Sequence, residues 1–174
     1  MKNKPILTLM CGLAGCGKSH WISKNIKDEV IVSPDSIRKN IFGHEFFKDA
    51  EDFIWAFAKG MSRLLLEQGK SVIIDATNLT EFSRADWIKL AKQYDAKVKI
   101  VWLKTSLKEC IRRNDKRERE VPTNTIINMA MFFEDPKEYE GEIIEIPKGN
   151  KKQLDWDRNY YRQQALKMSE CYKH

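Results

Sequence analysis

Gly12-Leu-Ala-Gly-Cys-Gly-Lys18-Ser19 reproduces the spacing GxxxxGK[ST] in full. A phosphate chain needs many donors at close range. A glycine-rich turn lets backbone N–H groups curl around it, and the helix that follows adds its positive N-terminus. Gly12, Gly15, Cys16 and Gly17 supply the cradle, Lys18 reaches the outer phosphates, and the Ser19 hydroxyl is a ligand for Mg²⁺. An apolar run before the loop and a helical pattern after it give the motif the context it requires. The bland alternative is a glycine-rich turn with no ligand.

Two further groups carry acceptor-side chemistry. Asp35 opens a helix just after the second apolar run, with Arg38 three residues on and on the same helix face. A carboxylate there can orient an attacking hydroxyl and take its proton, and the arginine can hold an acceptor phosphate. The same residues can equally be a helix-dipole carboxylate and a surface ion pair. Asp75-Ala-Thr77-Asn78 closes a third apolar run. Asp75 is placed to hold Mg²⁺ directly or through water. Asp75, Thr77 and Asn78 are candidate acceptor contacts; the alternative is that Asp75 and Asn78 cap the next helix.

Arg112, Arg113, Lys116, Arg117 and Arg119 crowd one stretch, interrupted by Asp115, Glu118 and Glu120. If the helix continues, Arg113 and Arg117 point at the same phosphates, and arginine's planar fork suits phosphate oxygens. The alternative is a solvated mixed-charge face.

These residues need a frame. Strands are expected at 6–11, 30–32, 71–75 and 98–103, with a short last strand at 142–146. Helices are expected from Lys18 to about Ile26, from Ser33-Pro34, over 50–68, 83–94 and 107–114, and from a Thr123 cap through Phe133. Over 50–68 the inward face is read as Phe53, Ile54, Phe57, Met61, Leu64 and Leu65. Over 83–94 it is Trp87, Ile88 and Ala91. A terminal helix is expected at 158–168. Strands alternating with helices imply an α/β fold with a doubly wound, mostly parallel sheet and helices on both faces.

The totals agree with one P-loop domain over residues 1–174, its last part, from about 141, a C-terminal extension. The chain is 42% hydrophobic and 32% charged, with net charge +6. The basic balance suits an anionic partner without proving one. Four cysteines stand apart at 11, 16, 110 and 171, which predicts neither a disulfide framework nor a zinc site. No apolar run reaches membrane-spanning length and no secretory signal is visible, so a cytoplasmic setting is expected.

Taken together, Gly12–Ser19, Ser33-Pro34-Asp35 with Arg38, Asp75-Ala-Thr-Asn78, and Arg113-Asn-Asp-Lys-Arg117 running into Val121-Pro122 resemble the kinase domain of phage-type polynucleotide 5′-kinases. Order and spacing agree over about residues 5–135. The resemblance implies that Asp35 is the general base, that Arg38 contacts the acceptor's phosphate, and that Arg117, with Arg113, engages the nucleotide. The catalytic set is then Asp35, Lys18 and Arg117. The chain departs from the family at Pro34, where a polar or charged residue is usual, and at Ala76, where threonine is. Asp155-Trp-Asp157 superficially matches a phosphatase aspartate pair but lacks a preceding apolar strand.

The expected cofactors are ATP, with GTP not distinguished, and Mg²⁺. The expected substrate is the 5′-OH end of a nucleic acid. Two other readings stand beside it: a kinase for a small hydroxylated molecule, and a nucleotide-binding switch. Asp35 speaks against the switch, which needs no acceptor-side base.

Overall fold

The computed structural model describes residues 4–43, 48–118, 120–148 and residue 163. Five strands form one sheet: β1 (Ile6–Cys11), β2 (Val30–Val32), β3 (Val72–Ile74), β4 (Lys97–Thr105) and β5 (Glu142–Lys148). Their order is β2-β3-β1-β4-β5 and every neighbouring pair is parallel. β1 lies at the centre, with Leu9 opposite both Ile74 and Ile100. Leu7, Leu9, Met10 and Cys11 are fully buried. A parallel strand covered on both faces reads as a continuous apolar run rather than an alternation, and residues 6–11 do.

Among the described residues, six α-helices connect the strands: α1 (Lys18–Asn25), α2 (Pro34–Phe42), α3 (Glu51–Glu67), α4 (Glu81–Gln93), α5 (Leu107–Asn114) and α6 (Thr123–Met131). The chain steps outward from β1 to β2, then reverses through β3 and across β1 to β4 and β5. With right-handed crossovers this reversal puts α1 on one face and α3 and α4 on the other. Among the described residues, no helix is long and apolar enough to cross a membrane.

The local signals explain most helix ends. Ser33 caps α2 by accepting from the Ser36 amide, with Pro34 in the first turn. Thr80 and Ser83 form a reciprocal capping box on α4, so the cap is Thr80 rather than Asn78. The expected Thr123 cap is displaced: Thr123 is the first residue of α6, and Pro122 stands in the cap position without a side-chain bond.

The buried face of α3 agrees with expectation at Ile54, with Met61 and Leu65 packed against the core, and differs elsewhere. Ile54, Ala58, Ser62 and Leu66 face the core, while Phe53, Phe57 and Leu64 are exposed. Ser62 hides its hydroxyl on the Ala58 carbonyl at 2.8 Å, so a serine occupies a position that apolar periodicity would not select. In α4, Trp87 and Ala91 are buried as expected, joined by fully buried Arg84. Of the expected helix at 158–168 only residue 163 is described, and it is helical; Asp155-Trp-Asp157 lies outside the described residues.

Candidate active site

The C-terminal ends of the parallel strands open on one edge of the sheet, where ligand crevices form in doubly wound folds. β1 feeds the phosphate loop, β2 feeds α2, β3 feeds the turn 75–78, and β4 feeds α5. Four segments distant in sequence therefore meet there.

The phosphate loop needs its glycines for separate reasons. Gly15 has φ +77, and a Cβ built on it would lie 2.3 Å from the Cys110 carbonyl oxygen. The loop thus rests directly on the α5 backbone. Gly17, at φ +104, occupies the cap position of α1, and no side chain caps that helix. Gly12 donates its N–H to the Thr77 carbonyl at 3.0 Å, which ties the loop's entrance to the turn 75–78. The Cys16 carbonyl accepts from Thr105 Oγ1 at 3.0 Å and from an Arg113 Nη1 at 3.4 Å.

Lys18 folds over this loop, its Nζ donating to the Gly12 and Leu13 carbonyls at 3.0 and 2.9 Å. Ser19 is exposed in the first turn of α1. An uncapped helix start, an adjacent ammonium and no acidic residue in the first turn form a donor set suited to an anion. A phosphate chain fits that chemistry. Beneath the loop, burial pushes the Cys11 and Cys110 thiols up to about 12.

On the acceptor side, Arg38 is buried although the Asp35 side chain is 73% exposed. Arg38 donates from Nη1 to Asp35 at 2.5 Å, and from Nε and Nη2 to Glu51 at 2.7 and 2.8 Å. The expected pairing of Asp35 with Arg38 is therefore present, with Glu51 as a third member. Burial opposes the charge on Arg38. The Glu51 carboxylate, aided by Asp35, more than offsets it and holds the guanidinium above its ordinary value.

Asp75 is the point where these groups converge. Its N–H donates to the Val32 carbonyl at 3.0 Å, binding the turn to the start of α2. Burial raises its carboxyl above the ordinary value, opposed by the positive charges of Lys18 and Arg117 and reinforced by Asp35. Three of the candidate charged residues thus act electrostatically on a fourth. Thr77 contributes its carbonyl to Gly12. Asn78 is buried and left-handed (φ +45), and its amide donates to the Met10 carbonyl at 2.7 Å. Asn78 therefore braces β1 rather than offering its amide to an acceptor.

The helix over 107–114 ends as expected and does not continue through the basic stretch, the condition for Arg113 and Arg117 to share one face. α5 ends at Asn114, so Arg117 lies in the turn beyond it and not one helical turn above Arg113. Asn114 is buried. Its amide donates to the Val121 carbonyl at 2.8 Å and its oxygen accepts the Val121 N–H at 2.9 Å. This reciprocal pair clamps both ends of the loop that carries Arg117. Arg113 meets the phosphate loop and also pairs with Glu109 at 2.6 Å. Arg112 and Arg113 hold the Glu109 carboxyl down at about 2. Arg119 lies outside the described residues.

The P-loop, its helix and the parallel order 2-3-1-4-5 give a P-loop fold, and a family model says which family. A model of the AAA domain family matches residues 7–136. The chain belongs to that family. Its fold is that of the P-loop kinases. The chain is 28% identical over 166 residues to the L-seryl-tRNA(Sec) kinase of Methanococcus maripaludis, covering 87% of this chain and 62% of that protein. It is similar to a chain of the Pnkp1/Rnl/Hen1 RNA repair complex at 25% identity and a TM-score of 0.67, over 74% of this chain and 44% of the other. The fold also matches a gluconokinase from Sinorhizobium meliloti 1021 at 16% identity and a TM-score of 0.54, over 96% and 98% of the two chains. The chain therefore spans less than two thirds of the tRNA kinase and less than half of the repair-complex chain.

Sequence pattern alone does not mark Glu51, Thr105 or Asn114 as site residues. Asn114 stood within the motif Arg-Asn-x-x-Arg, whose run into Val-Pro was the available signal. Glu51 carried none beyond its place at a helix start.

Proposed function

We propose that this chain is an ATP- and Mg²⁺-dependent kinase that transfers the γ-phosphate to a hydroxyl, and that its acceptor is the 5′-OH end of a polynucleotide. The observation that carries this reading is Asp35. An exposed carboxylate, held from behind by a buried arginine, stands at the open edge of the sheet within electrostatic reach of Asp75. A nucleotide-binding switch has no use for it.

In this reading the loop amides and Lys18 bind the β- and γ-phosphates. Ser19 and Asp75 are the residues that would hold Mg²⁺, which when bound neutralises charge across the phosphoryl oxygens. Asp35 orients the attacking hydroxyl and takes its proton as the new P–O bond forms and the bond to ADP breaks. Arg38 holds Asp35 in place. Two of the five guanidinium N–H groups remain for an acceptor phosphate after the three bonds to Asp35 and Glu51. Arg117 and Arg113 stabilise charge that develops in the transition state.

The nucleic-acid assignment draws support from the RNA repair complex and the tRNA kinase, both named for RNA. A small hydroxylated acceptor is the competing reading, since the same fold serves a gluconokinase and fold alone does not choose. The deciding experiment is incubation with γ-labelled ATP and a panel of 5′-OH DNA and RNA oligonucleotides, nucleosides and sugars. Label at oligonucleotide 5′ ends is expected. Label confined to small acceptors would overturn the nucleic-acid assignment, and no transfer to any acceptor would overturn the kinase reading.

A further inference from the structure

Arg84 and Glu140 form an ion pair sealed from solvent, with side chains 0% and 1% exposed. Arg84 donates from Nε to Glu140 Oε2 at 2.5 Å and from Nη2 to Oε1 at 3.1 Å. Desolvating two charges is costly, and an apolar pair of similar volume is often as stable or more so. Stability alone therefore does not account for the pair, and the remaining contacts of Arg84 bear on its role.

Its third nitrogen, Nη1, donates to the Asn78 carbonyl at 3.1 Å and to the Glu134 carbonyl at 3.0 Å. Asn78 is left-handed, a conformation that persists in a non-glycine residue only where its surroundings over-determine it. Those surroundings are Arg84 on one side and β1 on the other. The Asn78 amide bonds Met10, and the Cys11 thiol donates to the Asn78 carbonyl at 3.3 Å. One residue back, the Thr77 carbonyl receives the first N–H of the phosphate loop. At the front of the same turn, Asp75 bonds the end of β2, where α2 and Asp35 begin. The guanidinium thus fixes the far end of a four-residue turn whose near end presents the Asp75 carboxylate.

We propose that Arg84, held by Glu140, is a positioning residue for the active site: it sets the turn 75–78 and through it the placement of Asp75 against the phosphate loop. This rests on the kinase reading for its catalytic consequence. Arg84 touches neither nucleotide nor acceptor. It acts through Asn78, as residues behind a metal ligand orient that ligand. Lysine preserves the charge opposite Glu140 but has no planar fork to reach two carbonyls as well.

The test uses the full chain and two variants, Arg84→Lys and the double variant Arg84→Met with Glu140→Leu. The double variant removes both buried charges together, so that neither is stranded. The readouts are melting temperature, affinity for a fluorescent ATP analogue with Mg²⁺ and with EDTA, and phosphate transfer. The expected result is a melting temperature near that of the parent. Mg²⁺-dependent nucleotide affinity and kcat should each fall by roughly 10–100-fold, the range for outer residues that orient metal ligands. Affinity in EDTA should be unchanged, and so should acceptor KM. A folded double variant with parental Mg²⁺ dependence and kcat would overturn the proposal. If the double variant does not fold, Arg84→Lys decides: the same selective loss supports the proposal, and parental behaviour overturns it. If the parent transfers phosphate to no acceptor, the kinase reading fails by itself, and the Mg²⁺-dependent binding difference still decides the role of Arg84.

Discussion

Glu51 grips Arg38 through both ends of its fork, Nε and Nη2, and so aims the third nitrogen at Asp35. The three residues lie on two helices, α2 and α3, and the arginine between them is buried. An exposed carboxylate is thereby fixed from within the protein.

Asp35→Asn should bind nucleotide and acceptor normally while kcat falls by roughly 10²–10⁴, the contribution of a positioned general base. Glu51→Gln should lower kcat less and should also destabilise the fold. It leaves Arg38 buried with only the exposed Asp35 as counter-charge, and breaking a buried pair costs up to roughly 3–5 kcal/mol. Urea unfolding and steady-state kinetics on the same preparations separate the two effects. Full activity in Asp35→Asn would remove the base from the mechanism.

Arg117→Ala should lower kcat more than nucleotide affinity, as expected of a group acting on transition-state charge. Asn114→Ala should reproduce part of that defect without touching any charge, because it unfastens the loop carrying Arg117 at Val121. Unchanged kcat in Arg117→Ala would return the basic stretch to a solvated face.

Asp75→Asn should raise the melting temperature in EDTA at neutral pH. Burial lifts the Asp75 carboxyl above 3.8, so the folded state holds that proton more tightly than the unfolded chain. A carboxyl raised in this way contributes stability below its unfolded pKa, and the contribution is lost as pH rises through the folded value. At neutral pH the parent therefore carries an unfavourable partly desolvated carboxylate that asparagine removes. Near pH 3, about where the parent carboxyl is protonated in both states, the two proteins should melt alike. The same substitution should abolish the Mg²⁺ dependence of nucleotide binding. A lower melting temperature for Asp75→Asn at neutral pH would contradict this account.

Gly15→Ala should destabilise the protein by at least about 1–3 kcal/mol from backbone strain alone, and should abolish nucleotide binding. The new methyl group would meet the Cys110 carbonyl at 2.3 Å, forcing the loop off α5. Calorimetry and a nucleotide titration are sufficient, and parental behaviour in both would refute the packing argument.

What the sequence disclosed followed from local chemistry. The glycine spacing of 12–19, the Ser33-Pro34 start of α2 and the apolar strands each depend on neighbours within a few residues, and the structure bears them out. What stayed hidden depended on partners far along the chain. Arg84 and Glu140 are 56 residues apart and each resembles an ordinary surface charge until the fold brings them together. On α3, Phe53, Phe57 and Leu64 look like core residues by type yet are exposed, whereas Ala58 and Ser62 are buried beside Ile54. The end of α5 at Asn114 agrees with expectation, but the pairing of Asn114 with Val121 across the loop is not encoded in helix periodicity.

The buried sulfurs beneath the phosphate loop make the protein its own conformational probe. Burial pushes the Cys11 and Cys110 thiols up to about 12, which keeps them as thiols at neutral pH. They are therefore inert to alkylating reagents for as long as β1 and α5 stay closed over them. Peptide-resolved alkylation at these two positions measures how often this part of the molecule opens. A nucleotide that clasps the loop should slow that labelling in direct proportion to its occupancy.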